Sequence, residues 1–344
     1  MMIRARAPLR LGLAGGGTDL SPYCDTYGGA ILNATIDLYA YSVLEPLKDR
    51  SKVYFSATDL GIDIELPADA DMPLEDPLAL HRGVYRRIVR DFCGGKPFGC
   101  RLTTFCEAPP GSGLGSSSTT VVSMVKAFVE YLGLPLGEYD IGHLAYEIER
   151  IDLGLAGGRQ DQYAATFGGF NFIEFYENDR VIVNPLRIKN WILSELESSI
   201  VLHHCGVSRS SAAIIEEQKK SIAANTGDSM AAMHELKEDA FRMKEAVLLG
   251  NIPQFATLMN KSWEAKRRTA AAISNPTIER IFEKARALGA KAGKVSGAGG
   301  GGFITFIVDP KYRIKLLRGL AEVEGQPMTC HFTKRGTEGW RIDA

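Results

Sequence analysis

Three glycine-rich runs, and the polar residues set among them, carry the chemistry open to this chain. From Pro109 to Ser118 it reads PPGSGLGSSS: two prolines, then glycines alternating with serine and leucine, then three hydroxyls. Glycines without a Cβ let backbone N–H groups approach an anion closely. A helix opening directly behind them adds unpaired N–H groups and the positive end of its dipole. Pro110, Gly111, Ser112, Gly113, Leu114, Gly115, Ser116, Ser117 and Ser118 are therefore a candidate cradle for the phosphates of a nucleotide. The GxxxxGK[ST] pattern of the common P-loop is absent; one of the serines can instead offer its hydroxyl to magnesium. The prolines ahead of the turn and the apolar helix behind it argue against a free Gly/Ser linker.

A second run, Gly15-Gly16-Gly17-Thr18-Asp19, ends an apparent strand and lets a ligand approach the backbone. Thr18 and Asp19 supply a hydroxyl and a carboxylate suited to a polyol, although an isolated GGGTD is equally well a turn. A third run, Lys294 to Gly302, reads KVSGAGGGG and contains Gly299 and Gly300.

The elements that must position these runs are mixed in type. Ile3 to Leu13, Ala30 to Leu47, Lys52 to Ser56, Ile62 to Leu66 and Arg101 to Cys106 have strand character. Helical spacing runs through Leu80, Val84, Ile88 and Phe92, and again through Val121, Val125, Phe128 and Leu132, with Gly133 at the C-cap position. A further helix is expected over Asp140 to Ile151, burying Ile141, Leu144, Ala145, Ile148 and Ile151. Gly169 to Glu174 and Ile200 to His204 are expected strands. Three helical stretches follow, over 211–222, 234–249 and 276–288, the last opened by Asn275-Pro276. Strands and helices do not alternate as βαβ units, which favours α+β over a doubly wound sheet. A soft boundary near residue 190 divides the chain into 1–190 and 191–344.

Composition narrows the partners. A hydrophobic share of 45% and a charged share of 24% are those of an ordinary globular protein. A net charge of -1 gives no overall attraction for nucleic acid or for an anionic membrane. The six cysteines are scattered without metal-like spacing, and no signal-peptide h-region or spanning apolar run is present, so a cytoplasmic location is expected.

Ala7-Pro8-Leu9-Arg10 near the start, PPGSGLGSSS in the middle and KVSGAGGGG near the end resemble, in order, the three signature motifs of the GHMP kinases. The resemblance covers nearly the whole chain and implies a two-domain α+β fold, with a ribosomal-protein-S5-like N-terminal domain and a ferredoxin-like C-terminal domain. It also implies ATP as co-substrate, Mg2+, and a frequent homodimer. By that resemblance Ser117 and Glu149, in Tyr146-Glu147-Ile148-Glu149-Arg150, are the magnesium ligands, with Glu147 left as a solvated carboxylate. Asp161 would take the proton of the attacking hydroxyl. Arg10 would sit beside it, offsetting charge on the moving phosphoryl group.

Within the superfamily, RAPLRLGLAGGGTDLSPYCDTYGG over residues 6–29 is similar to sugar kinases acting on D-glycero-D-manno-heptose 7-phosphate. That likeness implies phosphorylation of the anomeric hydroxyl, for nucleotide-heptose and surface-polysaccharide synthesis. Gly17, Thr18, Asp19, Gly299 and Gly300 then face the acceptor. A 7-phosphate needs cations at the far end of the acceptor pocket: Arg209, at a strand-to-helix turn, is one candidate, and Lys266, Arg267 and Arg268 are weaker ones that read rather as a solvated helix face. Arg159 and Arg209 stand open between substrate contacts and surface ion pairs. The alternatives are an L-fucose kinase or another unphosphorylated-sugar 1-kinase of the same fold, and a non-catalytic ATP- and sugar-binding sensor. An isoprenoid-pathway kinase is disfavoured by GGGTD.

Overall fold

The computed structural model describes residues 2–206, 211–223 and 227–343. β1 (Met2–Ala14), β2 (Gly29–Pro46), β3 (Lys52–Ala57), β4 (Ile62–Pro67), β5 (Cys100–Cys106), β6 (Phe170–Phe175) and β7 (Val181–Pro185) belong to one sheet. Its pairings are antiparallel except that of β3 with β5. The helices of this half are α1 (Tyr23–Tyr27), α2 (Ala79–Phe92), α3 (Ser116–Leu132), α4 (Glu138–Tyr146) and α5 (Gln160–Phe167).

Odd-numbered residues of β1 are buried from Ile3 to Leu13, as a period of two requires, but they do not all enter one core. Ile3, Ala5 and Ala7 pack with Val84 and Ile88 of α2 and with Val121, Val125 and Phe128 of α3. Leu9, Leu11 and Leu13 pack instead into a core shared with the second half of the chain. The register against β2 shifts between Pro8 and Arg10, and this bulge moves the odd positions to the opposite face. The same shift aims Arg10 at the glycine-rich turn ahead of α3, where its backbone N–H donates to the Leu114 carbonyl at 3.1 Å.

The second half comprises α6 (Asn190–Ser199), α7 (Ser211–Ala223), α8 (Gly227–Leu249), α9 (Ile252–Arg267), α10 (Pro276–Ala287) and α11 (Arg313–Leu320). They surround an antiparallel sheet of β8 (Ile200–His204), β9 (Ala290–Val295), β10 (Phe303–Val308) and β11 (Gln326–Met328), in the order β11-β8-β10-β9. The α+β expectation is met. The expected second domain does not keep its last strand, however: β12 (Glu338–Ile342) returns to the first sheet and pairs with β1, Met2 opposite Ile342. The free edge of β1 is thereby hydrogen-bonded rather than left as a row of open donors and acceptors.

The expected helix over 140–151 is also modified. Regular α-helix ends at Tyr146, and a π turn carries the chain from Glu147 to Asp152. Its i→i+5 bonding puts more residues in each turn and breaks the 3.6-residue period, leaving Ile151 64% exposed while Ile148 stays buried.

Candidate active site

The glycine-rich turn is clamped from two sides. Gly111, Gly113 and Gly115 all have positive φ, which a side chain would strain. Arg10 Nη1 donates to the Gly113 carbonyl, and the Phe303 N–H donates to the Ser112 carbonyl at 2.8 Å. The loop between β9 and β10 interlocks with the turn so closely that a Cβ on Gly113 would lie 2.6 Å from the Ser296 carbonyl oxygen. Ser112 and Leu114 are fully buried and face the interior, so they hold the turn without presenting side chains to a ligand. Gly111, Gly113, Gly115, Ser116, Ser117 and Ser118 line a cavity of about 290 Å³. Pro110 lines a neighbouring apolar cleft of about 500 Å³ that shares Gly111, Ser116, Ser117 and Leu155 with it.

At the mouth of α3, Glu149 is 1% exposed although it is acidic. The π turn places its carboxylate to accept from Ser117 Oγ at 2.7 Å, Ser118 Oγ at 2.6 Å and Gln162 Nε2 at 2.6 Å. Arg150 lies 3.2 Å away and also holds the Gly158 carbonyl. A buried carboxylate needs this many donors to offset its lost hydration. The pairing of a hydroxyl with a carboxylate beside a phosphate cradle fits magnesium, which takes few protein oxygens and completes its shell with phosphate and water. Glu147, in contrast, points outward and pairs with Arg87 at 3.0 Å rather than standing solvated.

Arg10 and Asp161 meet on the wall between the cradle and the GGGTD turn. Arg10 is 3% exposed, and its Nε and Nη2 both reach Asp161 Oδ1, at 2.7 and 2.6 Å. No partner for Oδ2 of Asp161 occurs among the described residues. Asp161 sits in the first turn of α5, and Asp19 fixes where that helix begins. Oδ2 of Asp19 accepts the N–H groups of Arg159 and Gln160 at 2.9 and 3.1 Å, and Oδ1 accepts the Gly17 N–H at 3.2 Å. Burial, and then the neighbouring Asp161 charge, push the Asp19 carboxyl above its usual range. Asp19 thus borders the cavity while also holding the N–H groups at the start of α5.

Other expected contacts are not brought to the cavity. Thr18 is fully buried, and its hydroxyl is used up on the backbone of Ala30, donating to the carbonyl and accepting from the N–H. Arg159 turns away: its guanidinium is held by Asp25 at 3.3 Å, Asp179 at 2.9 Å and the Tyr176 carbonyl, and only its backbone serves the site. Gly299 packs on Ile273, and the Gly300 N–H donates to the Ile273 carbonyl at 2.7 Å, so Gly297 and Ala298 are the residues of that loop facing the cavity. Arg209 lies outside the described residues.

Lys266 was expected on a solvated face and is instead 6% exposed, with Nζ 2.9 Å from the Gly16 carbonyl oxygen at the cavity wall. Burial lowers its pKa to about 8. Gln218 and Gln160 border the cavity as well. Lys294 is buried and donates to the carbonyls of Gly12 and Leu13, tying β9 to β1. Lys266 sits on α9, which lies outside the three expected helical stretches of this half. A local signal for it existed: Asn251 caps the helix by accepting from the Gln254 N–H, Pro253 follows, and Phe255, Met259, Trp263 and Lys266 share one face.

The family model for the N-terminal domain of GHMP kinases matches residues 79–169, and that for the C-terminal domain matches residues 243–324. The chain is 50% identical, over 99% of both sequences, to a D-glycero-alpha-D-manno-heptose 7-phosphate kinase of Campylobacter jejuni. It superposes with a TM-score of 0.84 on the crystal structure of a D-glycero-D-manno-heptose 1-phosphate kinase from Bacteroides thetaiotaomicron, with 44% identity over 99% of this chain and 100% of that one. An L-fucokinase/L-fucose-1-P guanylyltransferase of Bacteroides fragilis is 26% identical over 95% of this chain but only 37% of its own length. With both family models in sequence and a full-length relative identical at half of its positions, the chain belongs to the GHMP kinases.

Proposed function

We propose that the protein is an ATP-dependent kinase that phosphorylates the anomeric hydroxyl of D-glycero-D-manno-heptose 7-phosphate to give the 1,7-bisphosphate. The observation that carries the reading is the convergence, in one cavity, of the α3 N-terminus, the Ser117–Glu149 pair and the Arg10–Asp161 pair. The 50% identity to a heptose 7-phosphate kinase supports the choice of acceptor.

Amides of the 111–118 turn bind the β- and γ-phosphates of ATP, and the adenine lies in the adjoining apolar cleft, lined by Leu60, Leu78, Leu80 and Thr120. Ser117 and Glu149 would hold Mg2+, which would supply positive charge against the phosphates during the transfer. Arg10 occupies Oδ1 of Asp161, so Oδ2 is the oxygen that receives the proton of the acceptor hydroxyl. The hydroxyl oxygen forms the new bond to the γ-phosphorus as the bond to the β–γ bridging oxygen breaks. Arg10 offsets negative charge beside the reacting groups, and the loop between β9 and β10 excludes water from the second half of the molecule. Because the transition state is loose, positioning and electrostatics supply the catalysis.

ADP release measured with heptose 7-phosphate, unphosphorylated heptose, L-fucose and mevalonate tests the proposal. Heptose 7-phosphate should give the highest kcat/KM by at least tenfold. Preference for L-fucose would replace the acceptor, and tight binding of ATP and sugar without turnover would favour a sensor.

A further inference from the structure

The wall of the cavity away from the phosphate cradle is built from Gly17, from Ala212, Ile215 and Gln218 on α7, and from Lys266 on α9. Three cations border the cavity among the described residues: Arg10, Arg150 and Lys266. Arg10 is paired with Asp161 and Arg150 with Glu149. Lys266 has no carboxylate within salt-bridge distance among the described residues; the Gly16 carbonyl takes one of its three N–H donors. A buried ammonium in that condition is costly unless something supplies negative charge.

The surroundings leave room for such a group. A Cβ on Gly17 would stand 3.0 Å from Lys266 Nζ and 3.8 Å from Gln218 Oε1, so the glycine keeps open the space in front of both side chains. Gln218 is 1% exposed and is oriented by donating to Thr269 Oγ1 at 2.8 Å, and Thr269 Oγ1 in turn donates to the Lys266 carbonyl. Asp19, Asp161 and Lys266 line the same cavity, so the ammonium shares that space with the proposed proton acceptor. An acceptor filling this cavity with its anomeric hydroxyl at Asp161 shares it with the Lys266 ammonium.

We infer that Lys266, supported by Gln218, is the subsite for a phosphomonoester at the distal end of the acceptor, and that α9 thereby sets specificity for a sugar phosphate over a neutral sugar. The inference rests on the acceptor class proposed above.

The test follows ADP release by the full-length enzyme and by Lys266→Met, Lys266→Arg and Gln218→Met, with heptose 7-phosphate and with dephosphorylated heptose. Lys266→Met should raise KM for the 7-phosphate roughly 100-fold or more, as loss of one partner of a buried charged contact does. Its KM for ATP and for neutral heptose should stay within about threefold of wild type, and kcat at saturation should largely persist. Lys266→Arg, which keeps the charge, should recover most of the loss, and Gln218→Met should raise KM for the 7-phosphate several-fold. If Lys266→Met does not fold, the other two variants read the same contacts. Equal changes for both sugars, or none for either, would overturn the subsite alone. A wild-type enzyme that accepts heptose but refuses its 7-phosphate overturns the proposed acceptor together with the subsite, and is seen before any variant is made.

Discussion

Gly158→Ala is the sharpest probe of how Asp161, the proposed proton acceptor, is held. A Cβ at this position would fall 1.9 Å from Asp19 Oδ2 and 2.4 Å from its Cγ. Asp19 is 2% exposed and bound to the N–H groups of Gly17, Arg159 and Gln160, so it cannot swing aside without breaking contacts that start α5. Restoring ordinary van der Waals separation needs a displacement of roughly 1.5 Å. If the 158–160 segment moves, Asp161 moves with it and leaves the geometry set by Arg10. A misplacement of about 1 Å at a reacting group is enough to cost about 10²-fold, or about 2.7 kcal/mol of barrier. We expect kcat to fall by that order, KM for ATP to change little, and stability to drop by about 1–3 kcal/mol from overpacking. Coupled ADP release gives the first two quantities and denaturant unfolding the third. Gly137→Ala, whose added methyl meets nothing closer than 3.6 Å, serves as the control and should leave kcat unchanged. A Gly158→Ala enzyme that loses stability yet keeps kcat within about threefold would refute the claim that the Asp19 cradle positions Asp161.

Asp161→Asn should lower kcat by about 10² to 10⁴-fold, the usual weight of a general base, and a near-normal kcat would leave Asp161 no role in proton transfer. Glu149→Gln should raise the magnesium concentration for half-maximal activity at least about tenfold; an unchanged magnesium titration would remove Glu149 from the metal site. Thr120→Trp, which fills the apolar cleft, should raise KM for ATP about tenfold or more and spare the acceptor, and equal effects on both would move the adenine elsewhere. Burial, then the charges of Lys266 and Arg10, lower the Lys294 pKa to about 7, well below the 10.5 of a free lysine. Between those values the unfolded chain binds more protons than the folded one, so this group's destabilisation is full below pH 7 and is relieved as pH rises. Wild type should therefore gain up to about 2 kcal/mol on Lys294→Met between pH 7 and pH 9 in paired unfolding titrations; a constant difference would contradict a buried ammonium.

The glycine runs were legible because what they require is local: positive φ and the absence of a Cβ are properties of the residue itself. The strands β1 to β6 and β8 and the helix behind the glycine-rich turn were likewise readable from spacing, whereas β7, β9, β11 and β12 were not, and the pairing of Arg10 with Asp161 followed from the resemblance to the GHMP kinases. Charged and hydroxyl side chains were read less well, because their direction is set by elements far away in sequence. Arg159 and Thr18 carry the right groups for a sugar, yet packing against Asp179 and Ala30 turns them from it. Lys266 sits in a run of three basic residues that looks solvated, and only the stacking of α9 against the GGGTD turn buries one of them at the cavity. The return of β12 to β1 and the bulge that aims Arg10 are decided the same way, by pairing with strands that no local pattern specifies. Sequence alone determined where the backbone turns through positive φ ahead of α3; the tertiary fold decided which charges face that turn, since the free energy of a charge depends on what surrounds it.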